Sequence, residues 1–97
     1  MKVITFCGSL KYQQKMMELA EKFAFDGWCV LTPVWPVSGR QLNEEILHKL
    51  KEAHLKRIEL SDVVFIANID DYIGNSTLIE LEYAKKCGKQ ILFYTDL

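Results

Sequence analysis

The feature that most constrains this chain is an alternation: four short apolar runs are separated by three stretches of helical periodicity. The first run, "KVITFC" at residues 2–7, is rich in β-branched residues and stops at Gly8-Ser9. Met16, Leu19, Ala20, Phe23 and Ala24 then recur at helical spacing until Asp26-Gly27, which predicts an amphipathic helix with a glycine stop. "WCVLT" (28–32) reads as a second strand, ended by the proline-flanked segment "PVWPVSG". A second helix runs to about Leu60, with two candidate starts, Ser38 with Gln41 or Asn43 with Ile46. "DVVFIAN" (62–68) is the most continuous apolar strand and belongs at the centre of a sheet. A third helix, from roughly Thr77 to Cys87, stops at Gly88 before "QILFYT" (90–95).

A β-α-β-α-β-α-β order with strands this apolar implies an α/β fold, a parallel sheet covered by helices on both faces. Right-handed crossovers favour a four-stranded, flavodoxin-like three-layer sandwich with strand order 2-1-3-4. That order places the topological switch point between the first and third strands. The loops after Cys7 and after Asn68 therefore meet at one crevice, where ligands of such sheets bind.

The chain has 97 residues, which predicts one domain over 1–97 with a small core. Twelve basic and thirteen acidic residues leave a net charge of −1, which argues against a protein that coats polymeric nucleic acid. No charged leader precedes an apolar stretch, and no apolar run is long enough to span a bilayer. Cys7, Cys29 and Cys87 lie far apart in apolar segments without a CxxC pair. They read as reduced core thiols, so a cytoplasmic protein without a membrane, metal or cofactor requirement is expected.

The segment "DDYIGNSTLIELEYA" (70–84) lies at the expected crevice. Gly74 suits a tight turn, and Asn75, Ser76 and Thr77 suit a helix entry whose amides favour a phosphate or carboxylate. Two readings of Glu80 stand side by side. Thr77-Leu78-Ile79-Glu80 matches a capping box, with Glu80 folded back onto the Thr77 amide. On the helical wheel, however, Glu80 shares a face with Tyr83, Ala84 and Cys87, whereas Glu82 pairs with Lys85 and Lys86 on a solvated face. A partly desolvated carboxylate at a crevice is a candidate reactive group.

His54 lies on the apolar stripe of Leu47, Leu50 and Ile58, either as a hydrogen-bonded core residue or as a member of the site. Trp35 suits stacking on a base, contact with a neighbouring subunit, or packing beneath its own loop. Asp70 and Asp71 suit a sugar hydroxyl, a metal ion or, as adjacent turn aspartates more often do, simple loop formation. Neither a dinucleotide fingerprint nor a P-loop is present.

"CGSL", "LSDVVFIANI" and "GNSTLIELEYAKKCGKQI" together resemble the nucleoside 2-deoxyribosyltransferase superfamily, which includes the 2'-deoxynucleoside 5'-monophosphate N-glycosidases. The resemblance follows the order of elements along nearly the whole chain, and the last block is its specific part. It implies that Glu80, in "ELEYA", is a nucleophile that holds the sugar as a glycosyl ester. It further implies that Gly8, Ser9 and Leu10 line the sugar and phosphate side and that Gly74 and Ser76 contact phosphate or ribose. Two departures stand out: His54 occupies the position of a family aspartate, and the sheet has one strand fewer than the usual five. The implied activity is hydrolysis or transfer at a nucleoside or nucleotide N-glycosidic bond, with His54 as an acid or orienting group. The alternative is a non-catalytic nucleotide-binding module. Family habit and the small core also point to a homodimer or larger homo-oligomer.

Overall fold

The structure, a computed structural model, describes all residues 1–97. Its strands are β1 (Val3–Cys7), β2 (Cys29–Leu31), β3 (Val63–Ile66) and β4 (Gln90–Phe93). Its helices are α1 (Gln13–Phe25), α2 (Glu44–Leu60) and α3 (Asn75–Lys86). The strands form one parallel sheet in the order β2-β1-β3-β4, as the alternation predicts. The last strand is shorter than "QILFYT", because Tyr94–Asp96 turns away as a single 3-10 turn.

Side chains that alternate along a strand divide the core in two. Ile4 and Phe6 of β1 join Val63, Phe65 and Ala67 against Met16 and Leu19 of α1. Phe6 meets Phe23 edge-on at 5.7 Å between ring centroids, a geometry the ring quadrupoles favour. On the opposite face, Cys7, Val64 and Ile66 pack with Ile58 of α2 and with Leu81 and Ala84 of α3. The three layers are thus α1, sheet, and the α2–α3 pair. Ala24, assigned to the α1 stripe by spacing, is exposed at the end of that stripe.

Thr5 faces the α2–α3 side and is fully buried. Ser61 donates to the Arg57 carbonyl at 2.7 Å, and the Thr5 hydroxyl, within reach of both that carbonyl and the Ser61 oxygen, donates its single proton to one of them. These bonds satisfy polar groups that would otherwise be costly inside the core, and they fasten the end of α2 to β1.

Of the two possible starts for α2, Asn43 is the one used: its Oδ1 accepts from the Ile46 amide at 2.8 Å. Glu44 and Glu45 in the first turn complement the helix dipole. Ser38 instead accepts weakly from Arg40, and Gly39 has a φ of +72°, which no continuing helix contains. The cysteines do not all behave as core thiols. Cys7 is buried, Cys29 intermediate and Cys87 exposed, because Cys87 caps the end of α3, beyond its buried stripe. No helix is long and apolar enough to cross a membrane.

Candidate active site

The carboxyl ends of β1 and β3 open on two adjoining cavities that share Gly8, Leu10 and Ser76. The first, of about 370 Å³, is lined by Gly8, Ser9 and Leu10 from the loop after β1, with Tyr72 and residues Gly74 to Thr77 opposite. The second, of about 220 Å³, has Glu80, His54, Arg57 and Lys51 among its walls, together with the apolar Leu10, Val34, Leu47 and Leu50.

Gly8 belongs there for a packing reason. A Cβ at Gly8 would stand 2.8 Å from both the Ala67 Cβ and the Met16 sulfur, closer than side-chain carbons approach one another. The backbone can therefore pass between α1 and β3 to form the cleft floor. Ser9 accepts from the Lys11 amide at 3.3 Å and so starts the short turn that follows. Lys11 then lies 3.6 Å from the centroid of the Tyr72 ring, a cation–π contact that ties the two loops together across the cavity.

The entry to α3 differs from the capping-box reading. Gly74 is the N-cap and offers no side-chain bond. Thr77 lies inside the first turn and is buried, and Glu80 stands a turn further along, out of reach of the helix start. The amides of the first turn are thus left without intrahelical or side-chain acceptors. Gly74 itself is extended (φ −77°) and needs no special backbone freedom. The left-handed residues of this loop are Asp70 (φ 56°) and Asp71 (φ 58°), a conformation that aspartate tolerates better than most residues.

Glu80 turns inward instead. Its side chain is 19% exposed, and its Oε1 lies 3.9 Å from His54 Nε2. His54 Nε2 is 3.4 Å from the sulfur of Cys7, and His54 Nδ1 is 3.2 Å from Arg57 Nη1. One donor or acceptor atom each from Cys7, His54 and Glu80 lies within 4.8 Å of the other two. By distance alone these three could share a metal ion. The guanidinium at Nδ1 argues otherwise, because a ligating histidine normally donates, and does not accept, through its second nitrogen.

Burial sets the protonation of the group. It raises the Glu80 carboxyl to about 7, against the lowering effects of the neighbouring Cys7 thiol and of the Lys51 charge. It lowers His54 to about 4, reinforced by the Arg57 charge and partly offset by the Phe6 carbonyl. The Cys7 thiol is pushed well up by its burial and by the Glu80 carboxylate. At neutral pH the site therefore holds a neutral imidazole, a thiol and a carboxyl that is about half ionised.

The fold brings together Glu80, His54, Gly8, Ser9, Leu10, Gly74, Ser76 and Thr77. Trp35 is not among them: it packs on the α1 core, on the other face of the sheet from Glu80, with its indole N–H buried and unpaired. Asp70 is exposed and lines neither cavity. Cys7, Lys51, Arg57 and Tyr72 join the site without having been singled out for it by the sequence. For two of these a signal existed: Lys51 and Arg57 lie three residues either side of His54, on the same helical face.

No protein-family model matches the sequence, and no curated protein matches it. Solved structures do. A 2-deoxyribosyltransferase from Bacillus psychrosaccharolyticus aligns with a TM-score of 0.73 and 22% identity, over 94% of this chain and 70% of that one. A CMP N-glycosidase from Clostridium botulinum aligns with a TM-score of 0.63 and 20% identity, over 95% and 67%. A 2-deoxyribosyltransferase from Leishmania mexicana aligns with a TM-score of 0.71 and 15% identity, over 97% and 64%. The chain spans about two thirds of the length of these neighbours. Its fold is that of the 2-deoxyribosyltransferase-like proteins.

Proposed function

We propose that the protein cleaves, or transfers a sugar across, the N-glycosidic bond of a nucleoside or nucleotide, with Glu80 as nucleophile. The observation that carries this reading is one part-buried, inward-facing carboxylate on the wall of a cavity at the switch point. In the ionised state a Glu80 oxygen attacks the anomeric carbon of the sugar. The bond to the base breaks, its electron pair leaves with the base, and the base takes up a proton from the solvent side. The resulting glycosyl ester is then opened by water or by a second base.

The cavities divide the substrate accordingly. The sugar lies over Glu80, with its base among Leu10, Val34, Leu47 and Leu50. Its 5' end points toward Ser9 and the unpartnered amides at the start of α3, where the positive end of the helix dipole favours a phosphate. Monophosphates are therefore expected to react faster than nucleosides.

The test is to incubate the protein with deoxynucleosides, ribonucleosides and their 5'-monophosphates and to quantify free base by chromatography. Wild type is expected to release base, and Glu80→Gln to lose roughly three orders of magnitude or more in rate. Equal inertness of the two across the panel removes the enzymatic reading.

A further inference from the structure

The residues behind Glu80 have a directional order of their own. Arg57 is half-buried, and none of the protein's ion pairs involves it. Its guanidinium contact is Nδ1 of His54, at 3.2 Å. A guanidinium donates and never accepts, so Nδ1 must be the accepting nitrogen. A neutral imidazole that accepts at Nδ1 carries its proton at Nε2.

Besides the Phe6 carbonyl, which lies near the ring without a hydrogen bond of ordinary geometry, that proton has two possible acceptors. Glu80 Oε1, at 3.9 Å, lies beyond the N–H···O range of about 2.7–3.2 Å. The Cys7 sulfur, at 3.4 Å, is within reach of an acceptor with sulfur's larger radius. A thiol that accepts from His54 keeps its own S–H free, and the next acceptor is the Glu80 carboxylate, within 4.8 Å, a dipole–charge neighbour and not a closed hydrogen bond. Thr5 and Ser61, the neighbouring buried hydroxyls, are engaged with each other and with the Arg57 carbonyl, so neither competes.

We infer that Arg57, His54 and Cys7 form a one-way hydrogen-bond chain, donor to acceptor, that leaves the Cys7 thiol proton to point toward Glu80. Arg57 sets its direction, because it is the one member that cannot accept. The chain aims the carboxylate and favours its ionised form against the effect of burial. His54 is then a positioning residue with its proton facing Cys7, neither a general acid nor a metal ligand. The catalytic consequence rests on Glu80 being the nucleophile, as proposed above; the polarity of the chain does not.

Two measurements on the resting protein test this. Long-range 1H–15N correlation spectra report the tautomer of each histidine, and the exposed His48 serves as an internal reference. His54 is expected as the Nε2–H form in wild type and as a tautomer mixture in Arg57→Met. An Nδ1–H form or a cationic ring in wild type at pH 7 overturns the inference, and that reading needs no variant to fold.

Carboxyl 13C titration then follows Glu80. Cys7→Ala is expected to raise its midpoint by about one pH unit, while Cys7→Ser, whose hydroxyl both accepts and donates, holds it near the wild-type value. An unchanged midpoint in a folded Cys7→Ala overturns the chain, as does a thiolate-to-metal absorption band on adding cobalt(II). None of these signals depends on turnover, so a protein inert toward every nucleotide would leave them intact. If the protein is active, the acidic limb of its pH–rate profile moves upward in Cys7→Ala by the same shift.

Discussion

Glu80 and His54 exchange the protonation states they would hold in water. Unfolded, between about pH 4.5 and 6.5, the carboxyl is ionised and the imidazole charged. Folded, the carboxyl titrates at about 7 and the imidazole at about 4, so the proton resides on Glu80. The raised carboxyl loses stability as pH rises from about 4.5 to 7. The lowered imidazole loses it as pH falls from about 6.5 to 4. Both states bind one proton between them in the overlap, so the two slopes cancel there. Chemical denaturation of wild type is therefore expected to give nearly constant contributions from this pair between about pH 4.5 and 6.5. Glu80→Gln removes one slope, and its stability is expected to rise by about 3 kcal/mol from pH 4 to 6.5. Under the proposed reaction the sign is simpler: attack by Glu80 needs the carboxylate, so the rate should climb through about pH 7 to a plateau. Gly8→Ala should cost about 1–3 kcal/mol in urea titrations, since its methyl would meet Ala67 and Met16 at 2.8 Å. His54 and Glu80 were legible in the sequence as polar residues on apolar faces. Cys7 was not, because a strand buried on both faces shows no polar alternation that would mark one cysteine as different.

Helices and strands were legible because each is decided locally, by periodicity over ten or so residues. Their ends were not, because ends are decided by competition between caps. Asn43 prevails over Ser38 through one short bond to Ile46, and Asn43→Ala is expected to lower stability by about 1 kcal/mol, read as a shift in denaturation midpoint. The start of α3 goes the other way. Its sequence offers a capping box, yet the helix begins at Asn75 and leaves Glu80 a turn inside. A carboxylate used as a cap would be drawn away from the cleft, so the early start keeps Glu80 on the cavity wall. Further along, the Tyr83 hydroxyl donates to Glu59 at 2.5 Å, bracing α3 against the end of α2.

At the scale of the molecule, strand order follows from connectivity and handedness, which is why the crevice could be placed before any coordinates. Side-chain aim across the sheet depends on how α2 is rotated against β1, and no local pattern carries that information. Trp35 illustrates this: its loop reaches the cleft through Pro33 and Val34, while the indole packs on the opposite face. A nucleotide that fits both cavities should stabilise the fold by about 2.7 kcal/mol at a hundred times its Kd, seen as a rise in Tm. Val34 (62% exposed) and Leu47 (43% exposed) leave apolar surface at the cleft mouth. Light scattering after size exclusion is expected to give twice the chain mass or more, and a monomer at all concentrations would refute the proposed self-association.

The wall formed by Pro33 and Val34 has one more consequence. It comes from the connection between β2 and α2, a stretch that contributes nothing to the Arg57–His54–Cys7–Glu80 series and no strand or helix of its own. Under the proposed reaction, Val34 of this connection meets the base beside Leu10, Leu47 and Leu50, so one part of the base wall is written apart from the residues that act on the bond. A library confined to that connection could change the ligand accepted while leaving the reactive carboxylate and its supports untouched.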